Sequence, residues 1–317
     1  MKKGLTALFF LVIFTLIAIY IFIPAQLHIS AYTIVKANTN VLFRYLSDET
    51  KWDNWWPGQS QEKKLIDENH YPKYNEYTYR LKEKLYNAVD VEIINKDQIS
   101  AGKIVIIPLA EDSLIVQWNN TLATSINPFI RVQQYRQAVN IKKNITVILD
   151  SFRSFNEDKE KIYKFNIRNT TLEDTLFVAI KTITTSYPST RVLYQYIENL
   201  RRHIAFHKAK EAGYPILNIT KKDSLHYETM VAIPTNKTLT GRGNIAFKRM
   251  IVYKDKILTA DVKGGPETIK EAYDELNTYM TDHNLVSPVI HWETLITDRS
   301  KERDSTKWIT RICIPIV

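Results

Sequence analysis

A single cysteine, Cys313, is present in 317 residues, so the chain has no internal disulfide framework. Cysteine-rich zinc sites and iron–sulfur clusters are excluded with it. Lysine and arginine exceed aspartate and glutamate by 43 to 34, yet they form no run of the kind that makes a nucleic-acid arm. Beyond Lys2 and Lys3, 20 basic face 19 acidic residues over 25–175, and 21 face 15 over 176–317. That mild excess fits solubility or a nearby anionic membrane and implies no nucleic-acid partner. No Ser-His-Asp order, nucleophile elbow or paired-carboxylate motif stands out. Gly241-Arg242-Gly243 lacks the third glycine and the strand-turn-helix setting of a nucleotide fingerprint, and reads as a loop. With 44% hydrophobic and 24% charged residues the chain is neither collagen-like, low-complexity nor wholly disordered. Its length suggests two soluble domains at roughly 100–200 residues each.

What is present first is an apolar run. Leu5 to Ile23 holds nineteen uncharged residues, interrupted only by Thr6, Thr15 and Tyr20. At ~1.5 Å per residue it spans roughly 28 Å, about one hydrocarbon core. The run is longer than the ~7–15 apolar residues of a cleaved signal peptide, and Ile23-Pro24-Ala25 is a poor cleavage site. With no cysteine after the run, a lipoprotein anchor is excluded. A retained transmembrane anchor over residues 1–25 is therefore predicted, with residues 5–23 in the membrane. Lys2 and Lys3 precede the run while residues 24–35 carry no Lys or Arg. The positive-inside rule then predicts a cytoplasmic N-terminus and extracytoplasmic soluble domains.

Past the run, His28 to Ala37 reads as a strand, and Thr39 to Ser47 as a short helix with Val41, Leu42, Tyr45 and Leu46 on its apolar side. The segment Lys51 to Gly58 is too aromatic and too turn-rich for a plain helix. Antiparallel strands are predicted at 74–86, 88–95, 99–108, 113–124 and 131–142. A stripe of Ile145, Ile148, Leu149, Phe152 and Phe155 predicts a helix from Asn144 to about Phe155 that covers the sheet. This order, and most specifically "VLFRYLSDETKWDNWWPG", resembles the START-like or SRPBCC (polyketide cyclase-like) superfamily over residues 28–165. The resemblance implies a helix-grip fold, an antiparallel sheet curled around a long C-terminal helix with an apolar cavity between them. Trp52, Trp55 and Trp56 fit either core packing or the wall of that cavity.

The polar stretch 157–175 is the expected junction, and an internal repeat follows it. Its first copy reads as strand 176–186, helix 189–212, and strands 215–219 and 226–233. The second reads as strand 256–262, helix 266–283, and strands 289–296 and 307–316. Two β-α-β-β copies imply two half-sheets, each backed by one helix, and an α+β class for the whole chain. The segments "LYQYIENL", "GYPILNI", "ETMVAIP", "ADVKGGPETIKEAYDELNTYM", "WETLITD" and "ITRICIPIV" resemble the GyrI-like, or AraC-type effector-binding, domain over residues 171–317. That resemblance implies a groove between the half-sheets for amphipathic, often cationic, small molecules, with a glutamate on the penultimate strand meeting the positive charge. The matching position is Glu293. Glu267 departs from the family, which commonly has an aromatic residue there, and alters the groove's rim.

Glu293 shares a strand face with His291 and Leu295. A carboxylate among apolar neighbours is either solvated at an edge or met by a ligand. Tyr194, Tyr253, Tyr273 and Trp292 are the candidate aromatic walls of the groove, each equally compatible with core packing. His203 and His207 have metal-ligand spacing but no third ligand, and Cys313 alternates with apolar neighbours as a buried thiol does. No metal or cofactor is expected. The leading expectation is a membrane-anchored binder of an amphipathic small molecule. The alternatives are a hydrolase of an electrophilic small molecule with Glu293 as general base, and a structural or interaction module without ligand.

Overall fold

Every second residue of strand β1 (Gln26–Val35) is buried, from Leu27 to Val35, the period of a sheet with one covered face. The computed structural model describes residues 2–58, 71–96, 98–110, 113–171, 175–250 and 256–317, with side chains from Leu8 onward. The chain divides into two compact units, Met1–Asp158 and Lys159–Val317, of mixed α+β structure with one antiparallel sheet each.

The first unit opens with helix α1 (Lys2–Phe22) and β1, followed by α2 (Thr39–Leu46) and a 3-10 turn at Glu49–Asn54. Strands β2 (Lys73–Tyr74), β3 (Tyr77–Lys84), β4 (Ala88–Asn95), β5 (Gln98–Ala110) and β6 (Ser113–Ala123) follow. Helix α3 (Pro128–Asn156) closes the unit. The six strands are ordered β1-β6-β5-β4-β3-β2. The strand expected at 131–142 is helix, and the closing helix runs 29 residues. Asn127 caps it, accepting from the Phe129 and Ile130 amides, and Pro128 occupies its first turn. Ala138 and Ile141 continue the buried stripe of Ile145, Ile148, Leu149 and Phe152, so one helical period governs the whole segment.

Trp52, Trp55 and Trp56 fill the interior of this unit. Trp52 lies parallel to Trp56 at 5.3 Å, Trp55 meets Phe152 edge to face at 4.7 Å, and Trp56 meets Tyr79 at 5.1 Å. Their indole nitrogens donate to the carbonyls of Leu46, Tyr45 and Lys73. An open cavity would leave water-accessible ring surface, yet Trp52 has none and the other two keep 3–4%. The rings are core, and the second-cavity role expected of them is replaced by packing.

Helix α1 exposes Leu8, Phe9, Phe10, Phe14, Ile21 and Phe22. Among the described residues, whose side chains begin at Leu8, no helix is long and apolar enough to cross a membrane, so the transmembrane anchor expected over residues 1–25 is not shown by the structure.

The second unit begins inside the polar stretch expected to be a junction. Helix α4 (Lys159–Tyr163) and strand β7 (Ile167–Thr171) precede β8 (Thr175–Thr184), α5 (Thr190–Phe206), β9 (Ile216–Lys221), β10 (Tyr227–Pro234) and β11 (Ile245–Met250). Then come β12 (Lys256–Lys263), α6 (Pro266–Asp282), β13 (Trp292–Leu295) and β14 (Ile309–Pro315). Ile162, Tyr163 and Ile167 are buried, so charge around them disguised a packed segment. Helix α5 ends sooner than expected because Lys208 adopts φ +51°, a left-handed stop.

The eight strands run β11-β8-β10-β9-β13-β14-β12-β7. Read from the centre outwards this order is nearly symmetric: β9 answers β13, β10 answers β14, and β8 answers β12. The repeat is therefore real in space, but the expected two half-sheets are one continuous sheet. They join where β9 pairs with β13 through Glu293–Leu217 and Thr294–Ile216.

Candidate functional site

Glu293 stands on this seam, between Leu217 of β9 and Ile312 of β14. Leu217 and Leu295 belong to the core under α5, together with Ile197, Leu200, Val231 and Ile233. Alternation along β13 turns Glu293 to that same face. The start of α6 forms the other wall. Its entry is sharp: Gly264 has φ +151°, and a Cβ there would lie 2.5 Å from Thr268 Oγ1. Pro266 then opens the helix. The result is a cleft of about 230 Å³ between Leu217, Asn218 and Ile219 on one side and Pro266, Ile269, Lys270 and Tyr273 on the other, with Glu293, His291 and Tyr187 completing it.

Rings dominate this cleft. Tyr273 meets His291 edge to face at 5.1 Å, and Tyr187 meets Tyr227 at 5.8 Å. Asn218 Nδ2 donates to the His291 carbonyl at 2.8 Å and holds that residue in place. Burial raises the Tyr273 hydroxyl pKa, the neighbouring Glu293 charge adding to it, whereas Tyr187 and His291 keep much of their surface in solvent at the rim.

Glu293 is not the lone carboxylate expected. Arg299 Nη2 lies 3.5 Å from Glu293 Oε2, and both side chains are largely buried. The guanidinium is held from two other directions: Nη2 donates to Thr310 Oγ1 at 2.8 Å, and the group lies 4.8 Å over the Trp308 ring. Burial nevertheless holds the Glu293 carboxyl above its usual range, with Arg299 only partly opposing it. Arg299 sits in the irregular segment between β13 and β14. No periodic pattern marks that segment; the only sequence signal was a basic residue close to a candidate buried acid.

The remaining expected residues are placed elsewhere. Tyr194 packs in the α5 core, where its hydroxyl accepts from the Arg299 amide at 2.6 Å and donates to the Thr297 carbonyl. It fixes the loop that carries Arg299 and does not wall the cleft. Trp292 is buried on the opposite sheet face with Phe177, Ile216 and Cys313, because adjacent strand residues point to opposite faces. Tyr253 lies outside the described residues. His203 Nε2 lies 3.0 Å from the Thr240 carbonyl, so that ring is tied to the backbone. Among the described residues no cluster of potential metal ligands occurs. Burial pushes the Cys313 thiol up to about 11. A larger depression of about 810 Å³ lies along α5 beside Thr190, Gln195 and Arg202. It is the more open of the two and its acid, Glu198, is solvent-exposed, so the smaller cleft with its largely buried carboxylate is the candidate site.

No family model and no curated protein matches the chain. Among solved structures, the C-terminal domain of EcmrR is 15% identical, covering 48% of this chain and 98% of that one at a TM-score of 0.42. SAV2435 bound to tetraphenylphosphonium is 16% identical over 48% of this chain and 94% of that one, at 0.31. The di-domain aromatase/cyclase BexL from the BE-7585A biosynthetic pathway is 7% identical over 92% of this chain and 85% of that one, at 0.34.

Proposed function

We propose that the chain is a membrane-anchored small-molecule-binding protein whose second unit takes an amphipathic, cationic ligand in the cleft at Glu293. The observation that carries this reading is a buried carboxylate walled by Tyr187, Tyr273 and His291. Its raised pKa means that Arg299 offsets only part of the burial penalty, so a cation in the cleft supplies stabilisation the ion pair leaves unmet. The near-symmetric strand order supports a GyrI-like effector-binding role for the second unit. In the first unit the START-like arrangement acts as a filled scaffold. In this reading the uncharged run Leu5 to Ile23 is the anchor, and Lys2 and Lys3 before it support an orientation with the soluble units outside the cytoplasm.

Binding of tetraphenylphosphonium, with triphenylphosphine oxide as the neutral comparison, tests the cleft by calorimetry. The phosphonium has no hydrogen-bond donor, so the contact is Coulombic; at an effective dielectric constant of ~20 and ~6–10 Å it is worth ~1.5–3 kcal/mol, and Glu293→Gln is expected to weaken the cation roughly 10- to 150-fold. The neutral compound should change little. Arg299→Gln removes the competing charge and is expected to tighten cation binding. Equal losses of both compounds in Glu293→Gln would show a damaged groove instead. Ionisation gives the expected pH dependence: cation affinity rises as pH rises through the raised Glu293 pKa. Without ligand, the same shift contributes stability that is present below the ordinary carboxyl range and lost as pH rises through the raised value.

A further inference from the structure

The end of α1 is bolted to the first unit. Tyr20 donates its hydroxyl proton to the Ile126 carbonyl, and Arg131 Nε donates to the Ile23 carbonyl at 2.7 Å. The Arg131 guanidinium lies 4.9 Å over the Tyr20 ring, and Thr124 Oγ1 donates to the Pro24 carbonyl. Strand β1 starts four residues after α1 ends, so no flexible linker separates them. Beside this joint the turn before α3 exposes Ile126, and the helix's first turn exposes Phe129, at 87% and 82% of their surface, with Ile130 next to them.

That turn is dressed for a dry environment. Residues 121–130 carry no charge. The Phe129 and Ile130 amides are taken by Asn127 Oδ1, the Asn127 amide by Ser125 Oγ, and the Ser125 amide by Gln134 Oε1 at 2.6 Å. The Thr124 amide goes to the Ala25 carbonyl, and Pro128 has no amide proton. Large apolar tips on a turn with most of its amides internally bonded enter the lipid interface at reduced cost, because only part of the backbone has to be desolvated unpaired. Tyr20, near the end of the apolar α1, is of a residue type favoured at that depth.

We propose that Ile126, Phe129 and Ile130 form an interfacial foot that inserts into the bilayer beside α1 and seats the first unit directly on the membrane surface. The foot rests on the anchor reading above, and the partner is the lipid interface itself.

The test uses the full chain in vesicles of equal parts phosphatidylcholine and phosphatidylglycerol. An environment-sensitive fluorophore is attached through Phe129→Cys or, for comparison, Tyr86→Cys. Cys313 is buried with a raised pKa, so it is not expected to label. Tyr86 is almost wholly exposed on the β3–β4 turn. The strand register puts that turn at the end of the sheet away from α1. Blue-shifted emission at 129, quenched by lipids spin-labelled near the headgroup, with neither effect at 86, is the expected result. Aqueous emission at both positions in a protein that resists alkaline extraction would leave the anchor standing and overturn the foot. Release by alkaline extraction would remove the anchor reading, and the foot with it. Shielding at 129 that requires a second protein copy and persists without lipid would also overturn the foot.

Discussion

Replacing Trp52 with alanine is expected to destabilise the first unit by about 3–5 kcal/mol. The side chain has no accessible surface, stacks flat on Trp56, and lies 5.7 Å from Trp55. Its removal opens a void between rings held in place by their own hydrogen bonds, and a braced site collapses poorly. The Leu46 carbonyl, which accepts from Trp52 Nε1 at 2.8 Å, also loses its indole donor. Against a total stability of roughly 5–15 kcal/mol for a domain, this is a large fraction. Urea unfolding followed by far-ultraviolet circular dichroism measures it. A loss below about 1 kcal/mol would mean that the aromatic cluster yields easily and that a cavity can open within it.

The second large effect concerns where the second unit starts. A fragment beginning at Lys159 is expected to unfold cooperatively, whereas one beginning after Thr171 should aggregate or melt far lower. The shorter fragment loses Ile162, Tyr163 and Ile167, each buried, at ~1.5–3 kcal/mol apiece as an upper estimate. It also loses the Tyr163 hydroxyl bond to Asp282 Oδ2 at 2.9 Å and the edge-to-face contact with Tyr279. Stripping β7 from its pairing with Lys256 to Ala260 of β12 leaves a bare sheet edge. Thermal melts of the two fragments, with light scattering recorded alongside, decide the matter. Equal melting would show that 159–171 is dispensable.

Periodic segments were legible and irregular ones were not. The stripes Leu193, Ile197, Leu200 and Ile204 in α5, and Ile269, Ala272 and Leu276 in α6, are buried as their spacing requires. Alternation located β1, β4 and β6 within a few residues. The α3 start was misjudged because Val132, Tyr135 and Val139 weigh toward strand, while the Asn127-Pro128 cap that overrules them is a two-residue signal. Short β7 and β11 carried too few residues for a pattern. Strand alternation gave Glu293 its face, and Tyr273 was legible as a ring on the predicted α6 helix. Arg299 and Tyr187 reach the cleft region from loops, where side-chain direction is set by tertiary contacts. Whether β9 and β13 would pair was likewise invisible, since local repeats say nothing about how copies abut.

That seam has a mechanical meaning. Only two residue pairs of ladder join β9 to β13, where β10 holds β8 through eight, with the Leu295 amide bonded to the Pro215 carbonyl and Asn218 to the His291 carbonyl as braces. The seam is therefore the part of the sheet with the least backbone pairing to resist bending, held together mainly by the core that Leu217 and Leu295 share. The cleft straddles the seam, with Leu217 and Glu293 on its two leaves. On the reading proposed above, a molecule held there would touch both leaves at once, so its size as well as its charge would bear on the seam.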